Sequence, residues 1–315
     1  MHHNSAITNT FYKFLMLSLL SIFTLNSNIS LASVNNCNSK NFLYEVAGGE
    51  KNTKENPSAK QLSSVKKNLI KVCNFFKPAK LQIPKKLSIL VVKKANTAFF
   101  HGLFNILYIP IQFSLKKGTA KHPVHSLPIA VHELGHAYFN SNIYSLTENK
   151  TYLSIQSEWK YLSPNAATME RQQRLDYSAP FSGLTELFAD CFSAIYFKSP
   201  KVITDGLFFT AIKQTHKTAK RRSFLNRNFQ HLVGKKVKNT DSHHQFDKAR
   251  YHLWKYYLSN AKYKNKQKVT KTLLQVFNNF LHQKQSEINF KETDMLIAND
   301  LLIAFIDKHF KNLYK

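Results

Sequence analysis

From Ser126 to Phe139 the chain carries three imidazole or carboxylate side chains, His132, Glu133 and His136, in an otherwise uncharged and largely apolar run. Pro128 suits a first helical turn, and Ile129, Val131, Leu134, Tyr138 and Phe139 supply apolar surface, so the run predicts a buried helix opening near Ser126. Burying such polar groups without partners is costly. Any fold of this chain must therefore bring polar or metallic partners to that one helix.

Residues four apart share a helix face. His132 and His136 can thus offer two ring nitrogens to one cation, and zinc takes such ligands at about 2.0–2.1 Å. Glu133 is turned about 100° away. That places it beside the metal rather than in its shell, where it can move a proton from activated water to a leaving amine. A third ligand is needed. The metzincin pattern asks for Gly three residues and His six residues after His136, but Phe139 and Asn142 stand there, which excludes that class. The better candidate is Glu186, on the apolar stretch Gly183-Leu-Thr-Glu-Leu-Phe-Ala-Asp190. Metal binding would remove the cost of burying its carboxylate. Asp190, one turn on, can accept the spare N–H of a ligating imidazole and fix its tautomer.

His132-Glu133-x-x-His136 followed by Glu186-x-x-x-Asp190 resembles the gluzincins, the thermolysin-like clan of zinc metallopeptidases. The resemblance covers about residues 85–198. It implies one zinc held by His132, His136 and Glu186, with Glu133 as general base and Asp190 behind a ligand. It also implies a zincin-like α+β fold: a small mixed sheet whose edge strand lies over the cleft and packs on the His-Glu-x-x-His helix. Ile106–Phe113 is similar in position to that edge strand. Tyr177, nine residues before Glu186, is spaced like the clan's carbonyl-polarising tyrosine. The clan often adds a downstream histidine; His231, His243 and His244 qualify by order, and His243 or His244 stands in the densest polar cluster.

The rest of the chain sets the context. Lys13, the apolar run Phe14–Leu25 and the small residues of Ser30-Leu31-Ala32 predict a cleavable signal, hence a secreted or periplasmic protein. Cys37 and Cys73 can pair in an oxidising compartment, whereas Cys191 falls in an apolar helical pattern. The net charge of +27 rests on 39 lysines and 6 arginines. It fits attraction to an anionic surface such as cell wall or lipid headgroups, but lysine spread over solvated faces accounts for it better. No nucleic-acid motif is present, so no specific nucleic-acid partner is expected.

Along the chain, Gln61–Phe76 has the 3–4 apolar spacing of a helix and Leu87–Val92 reads as a strand. Ile106–Phe113 reads as a second strand, put at an edge by Pro110. Residues 140–180 read as irregular, broken by Pro164 and Pro180, before a helix from Ser182 to Phe197. Helical stretches near 248–263, 267–283 and 292–313 close the chain. The expected organisation is a signal at 1–32, an N-terminal segment or propeptide at 33–84, a catalytic core at 85–198 and a helical subdomain at 199–315. The expected activity is hydrolysis of peptide or protein substrates. Cleavage of cell-wall peptide crosslinks, an inactive zincin-like module and a charge-driven binding protein are the alternatives.

Overall fold

The computed structural model describes residues 33–34, 42–46, 57–84, 87–95, 98–101, 105–115, 118–119, 127–146, 167–209, 220–287 and 292–312. These belong to one compact unit, Ser33–Lys315, and residues 1–32, where the signal is expected, lie outside the described residues. No described helix is long and apolar enough to cross a membrane.

A mixed sheet forms the first layer. Strands β2 (Phe42–Val46), β4 (Leu87–Ala95) and β6 (Ile106–Leu115) run parallel, in the order β2-β4-β6. Strand β5 (Phe99–His101) runs antiparallel to the start of β6, and β7 (Gly118–Thr119) pairs with its end. A separate antiparallel pair joins β1 (Ser33–Val34) to β3 (Ile83–Pro84). Helix α1 (Ala59–Phe76) lies between β2 and β4 in the chain. Ser58 opens it with a capping box: the Ser58 hydroxyl accepts from the Gln61 N–H and the Gln61 side chain accepts from the Ser58 N–H. Its buried face is Leu69, Val72, Cys73 and Phe76.

The expectation that Ile106–Phe113 is the edge strand is corrected here. β6 is paired on both sides over Ile106–Tyr108, with β4 and with β5. At Pro110 β5 has ended, so there β6 is paired with β4 alone, which is where a residue without an N–H is tolerated. The strand at the cleft is β5.

The second layer is helical: α2 (Leu127–Leu146), α3 (Ala167–Phe197) and α4 (Val202–Phe209). Then come α5 (Asp247–Leu253), which continues into a π-helical turn over Trp254–Leu258, α6 (Lys266–Glu287) and α7 (Met295–Asn312). The irregular stretch expected over 140–180 is also corrected at both its ends, residues 147–166 lying outside the described residues. α2 runs on to Leu146, and α3 opens at Ala167 and continues through Pro180; Pro164 lies outside the described residues. A proline inside a helix costs about 3 kcal/mol. Burial of Leu184, Leu187, Phe188, Cys191, Phe192, Ala194 and Ile195 on the second half of α3 outweighs that penalty.

The core forms where these layers meet. Phe76 of α1 stacks on Phe192 of α3 at 3.8 Å, and Tyr138 and Phe188 close around the pair. Asn142, one of the residues that excluded a metzincin, has a structural task. Its side chain accepts from the Gln82 N–H at 3.0 Å and donates to the Gln82 carbonyl at 2.7 Å, tying the end of α2 to the segment before β3. Cys73 is disulfide-bonded and Cys191 is free and buried; Cys37, the expected partner of Cys73, lies outside the described residues.

Close approach of α2 and α3 depends on Gly135. A Cβ there would stand 2.9 Å from the Ala189 Cα and 3.2 Å from the Phe192 Cβ. On an open helix Gly→Ala stabilises by about 1 kcal/mol. Here Gly135→Ala should instead destabilise by about 1–3 kcal/mol, the usual cost of overpacking, because backbone must move. Denaturant unfolding decides the sign, and a stabilised variant would contradict the close packing described.

Candidate metal centre

His132 and His136 sit one turn apart on α2 and face Glu186 on α3. His132 Nε2 is 3.1 Å from His136 Nε2 and 3.2 Å from Glu186 Oε2, and His136 Nε2 is 3.5 Å from Glu186 Oε1. Ligand atoms of a tetrahedral zinc with bonds of about 2.0–2.1 Å are roughly 3.3 Å apart. The three groups therefore match, in type and spacing, three corners of such a shell. All three line a cleft of about 490 Å³ with Phe99, Phe100, Glu133, Arg222 and His243.

The remaining ring nitrogens are held by α3. His136 Nδ1 lies 2.9 Å from Thr185 Oγ1, and His132 Nδ1 lies 2.9 Å from Asp190 Oδ1. With the ring protons on these Nδ1 atoms, each Nε2 lone pair is left for a cation. The two imidazoles are electrostatically unlike. Burial pushes His136 down to about 3, so it is neutral and ready to bind. Burial opposes protonation of His132 as well, but hydrogen bonds with Asp190 and Glu186 outweigh it and raise the imidazole to about 9. A cation bound there displaces that proton.

Asp190 is fully buried and carries more than one contact. Arg222 Nη2 lies 2.6 Å from its Oδ1 and Arg250 Nη2 lies 2.8 Å from its Oδ2. Burial disfavours this carboxylate, but Arg222, Arg250 and His132 together hold it well below the usual range. Glu186 is likewise held ionised against its burial, by His136, His243 and His132. Arg222 also reaches Glu186 Oε2, at 3.4 Å.

Glu133 lies beside the triad, its Oε2 4.0 Å from His136 Nε2. The Phe100 N–H of β5 donates to the same oxygen at 3.0 Å, fixing the carboxylate. Burial raises the Glu133 pKa. A carboxylate raised in this way is a better proton acceptor than one in water.

The structure separates the two adjacent histidines. His243 lines the cleft, with Nε2 3.5 Å from Glu186 Oε1, and its Nδ1 lies 2.7 Å from Asp241 Oδ1. That hydrogen bond is the main reason Asp241 is held down at about 2. His244 turns the other way, toward Asp247, and does not line the cleft, so of the expected pair only His243 reaches the site. His231 also pairs with Asp247. Tyr177 falls within α3, but its side chain lies outside the described residues.

Thr185, Arg222, Asp241, Arg250 and the Phe100 N–H went unread in the sequence. Thr185 adjoins Glu186 and could have been found by asking what holds the second imidazole. The arginines carry one compositional signal: they are only 6 of 45 cationic residues, and arginine suits a buried carboxylate better than lysine.

Asp190→Asn should weaken metal binding about 10–100-fold and lower unfolding free energy by about 3–5 kcal/mol, because two buried arginines lose the carboxylate charge they share. Thr185→Val should weaken binding with little change in stability. Chelator competition and denaturant melts read the two effects separately; equal stability loss in both variants would contradict this division. Comparison with known protein families, curated proteins and solved structures finds no match, so the function of this centre follows from its own geometry and chemistry.

Proposed function

We propose that the chain is a zinc-dependent peptidase of gluzincin type that acts outside the cytoplasm. The observation that carries this is the convergence of His132 Nε2, His136 Nε2 and the two oxygens of the Glu186 carboxylate within 3.1–3.5 Å, with the Glu133 carboxylate beside them at the cleft. A site that only stored or sensed metal would have no use for a buried carboxylate placed next to the ligands but outside them.

His132, His136 and Glu186 would hold the zinc. The chemistry supplied by zinc at such a centre is Lewis acidity toward water and a carbonyl oxygen. The protein's own groups do the rest. Glu133, aimed by the Phe100 N–H, takes the proton of the attacking water and passes it to the leaving amine. His243, oriented by Asp241, presents Nε2 to the cleft as the donor for the developing oxyanion. β5 lines the cleft beside these groups, so an extended substrate backbone lies against Phe99 and Phe100. Asp190, Arg222 and Thr185 position ligands and touch no reacting atom.

Glu133→Gln should keep its zinc and lose hydrolysis of an unstructured protein such as casein by about 10²–10⁴. His243→Ala should lower kcat by about 10²–10³ with KM little changed. Full activity in Glu133→Gln, or a purified protein that takes up no zinc, would sink the proposal.

A further inference from the structure

We infer that the protein carries a second metal site, built from His231, His244 and Asp247, for a divalent transition metal such as zinc. His231 comes from the 3₁₀ turn Gln230–Leu232, His244 from the turn before α5, and Asp247 from the first turn of α5. Their ligand atoms lie within 4.8 Å of one another. His231 Nε2 is 2.9 Å and His244 Nδ1 is 3.1 Å from the same oxygen, Asp247 Oδ2. The other carboxylate oxygen is taken by Arg250 Nη1, which leaves Oδ2 facing the two imidazoles.

Two imidazoles and one carboxylate are a ligand set that zinc and its neighbours accept, with a fourth position left for water. Burial suits the same end. Asp247 has no side-chain exposure and His244 has 9%, while His231 has 13% and leaves a way in. The Arg250 charge next to Asp247 works against a dication, so this site should bind more weakly than the cleft site. The two are joined by ion pairs: Asp247 to Arg250, then Arg250 to Asp190 at 2.8 Å, then Asp190 to His132 at 2.9 Å. Arg250 also donates to the His243 carbonyl at 2.9 Å. A cation here would fasten the 231 turn to the 243–247 segment and so hold His243 at the cleft. It performs no step of hydrolysis.

The test counts metal in the full, untagged chain after chelator treatment, by cobalt(II) titration followed through visible absorption and by elemental analysis. The parent should take two equivalents per chain. His231→Gln and His244→Gln, which keep Asp247 for Arg250, should each take one. His132→Ala/His136→Ala should also take one, and cobalt should raise its Tm. Adding His231→Gln to that background should abolish both the remaining equivalent and the Tm shift. Circular dichroism confirms that each variant is folded. A parent that binds one equivalent, lost only with His132 and His136, would overturn the second site and leave the cleft site standing. A second equivalent that survives both His231→Gln and His244→Gln would overturn it too. If the His132/His136 pair changes nothing while His231→Gln removes an equivalent, the second site stands and the cleft site fails.

Discussion

Taking a carboxylate out of water costs several kcal/mol unless other charges and hydrogen bonds replace the solvent. Asp190 has no exposure at all, and its replacements come from three places in the chain: His132 on α2, Arg222 in the turn after residue 221, and Arg250 on α5. His132 and Arg222 approach Oδ1, and Arg250 approaches Oδ2. Together they tie α3 to α2, to the 222 turn and to α5, so the arrangement of the helical layer and the orientation of a candidate ligand are set by one residue.

That junction works only because α2 and α3 can come close. Gly135 allows the approach: its missing side chain lets Ala189 and Phe192 settle against the α2 backbone. The same two helices then present His132 and His136 to Glu186 at metal-ligand spacing. Gly183 does similar service on the other side of α3. A Cβ there would stand 2.8 Å from the Phe246 ring and 3.0 Å from the Gln245 Cβ, so the segment carrying His243 and His244 would have to shift. Two glycines thus set how near the cleft's walls stand to one another.

The cleft has two unlike walls. One wall is β5, which offers backbone and fixes Glu133. The other is the polar segment around His243, held by Asp241 and by Arg250. Between them His132 and Glu133 are buried and His136 and Glu186 are partly buried, where charge interactions are less screened than in water. Arg222 and Arg250 offset the carboxylates of Glu186, Asp190 and Asp247.

What the sequence by itself determined is what short-range geometry controls. Histidines four apart on a helix share a face whatever surrounds them, so His132 and His136 were legible with Glu133 beside them. Glu186 and Asp190 were legible because carboxylates amid Leu184, Leu187 and Phe188 need a partner. Helices α1, α6 and α7 followed from apolar periodicity, with ends that differ by up to four residues from those the pattern predicts. Tertiary structure decided the rest, because those features depend on contacts between distant segments. β5 is three residues long and becomes a strand only by pairing with β6. Pro180 sits inside a helix because burial outweighs its local penalty. His243 and His244 are neighbours of one type, and only the fold turns one to the cleft and the other to Asp247. The pairing of Arg222 and Arg250 with Asp190 spans 32 and 60 residues, beyond the reach of any local pattern.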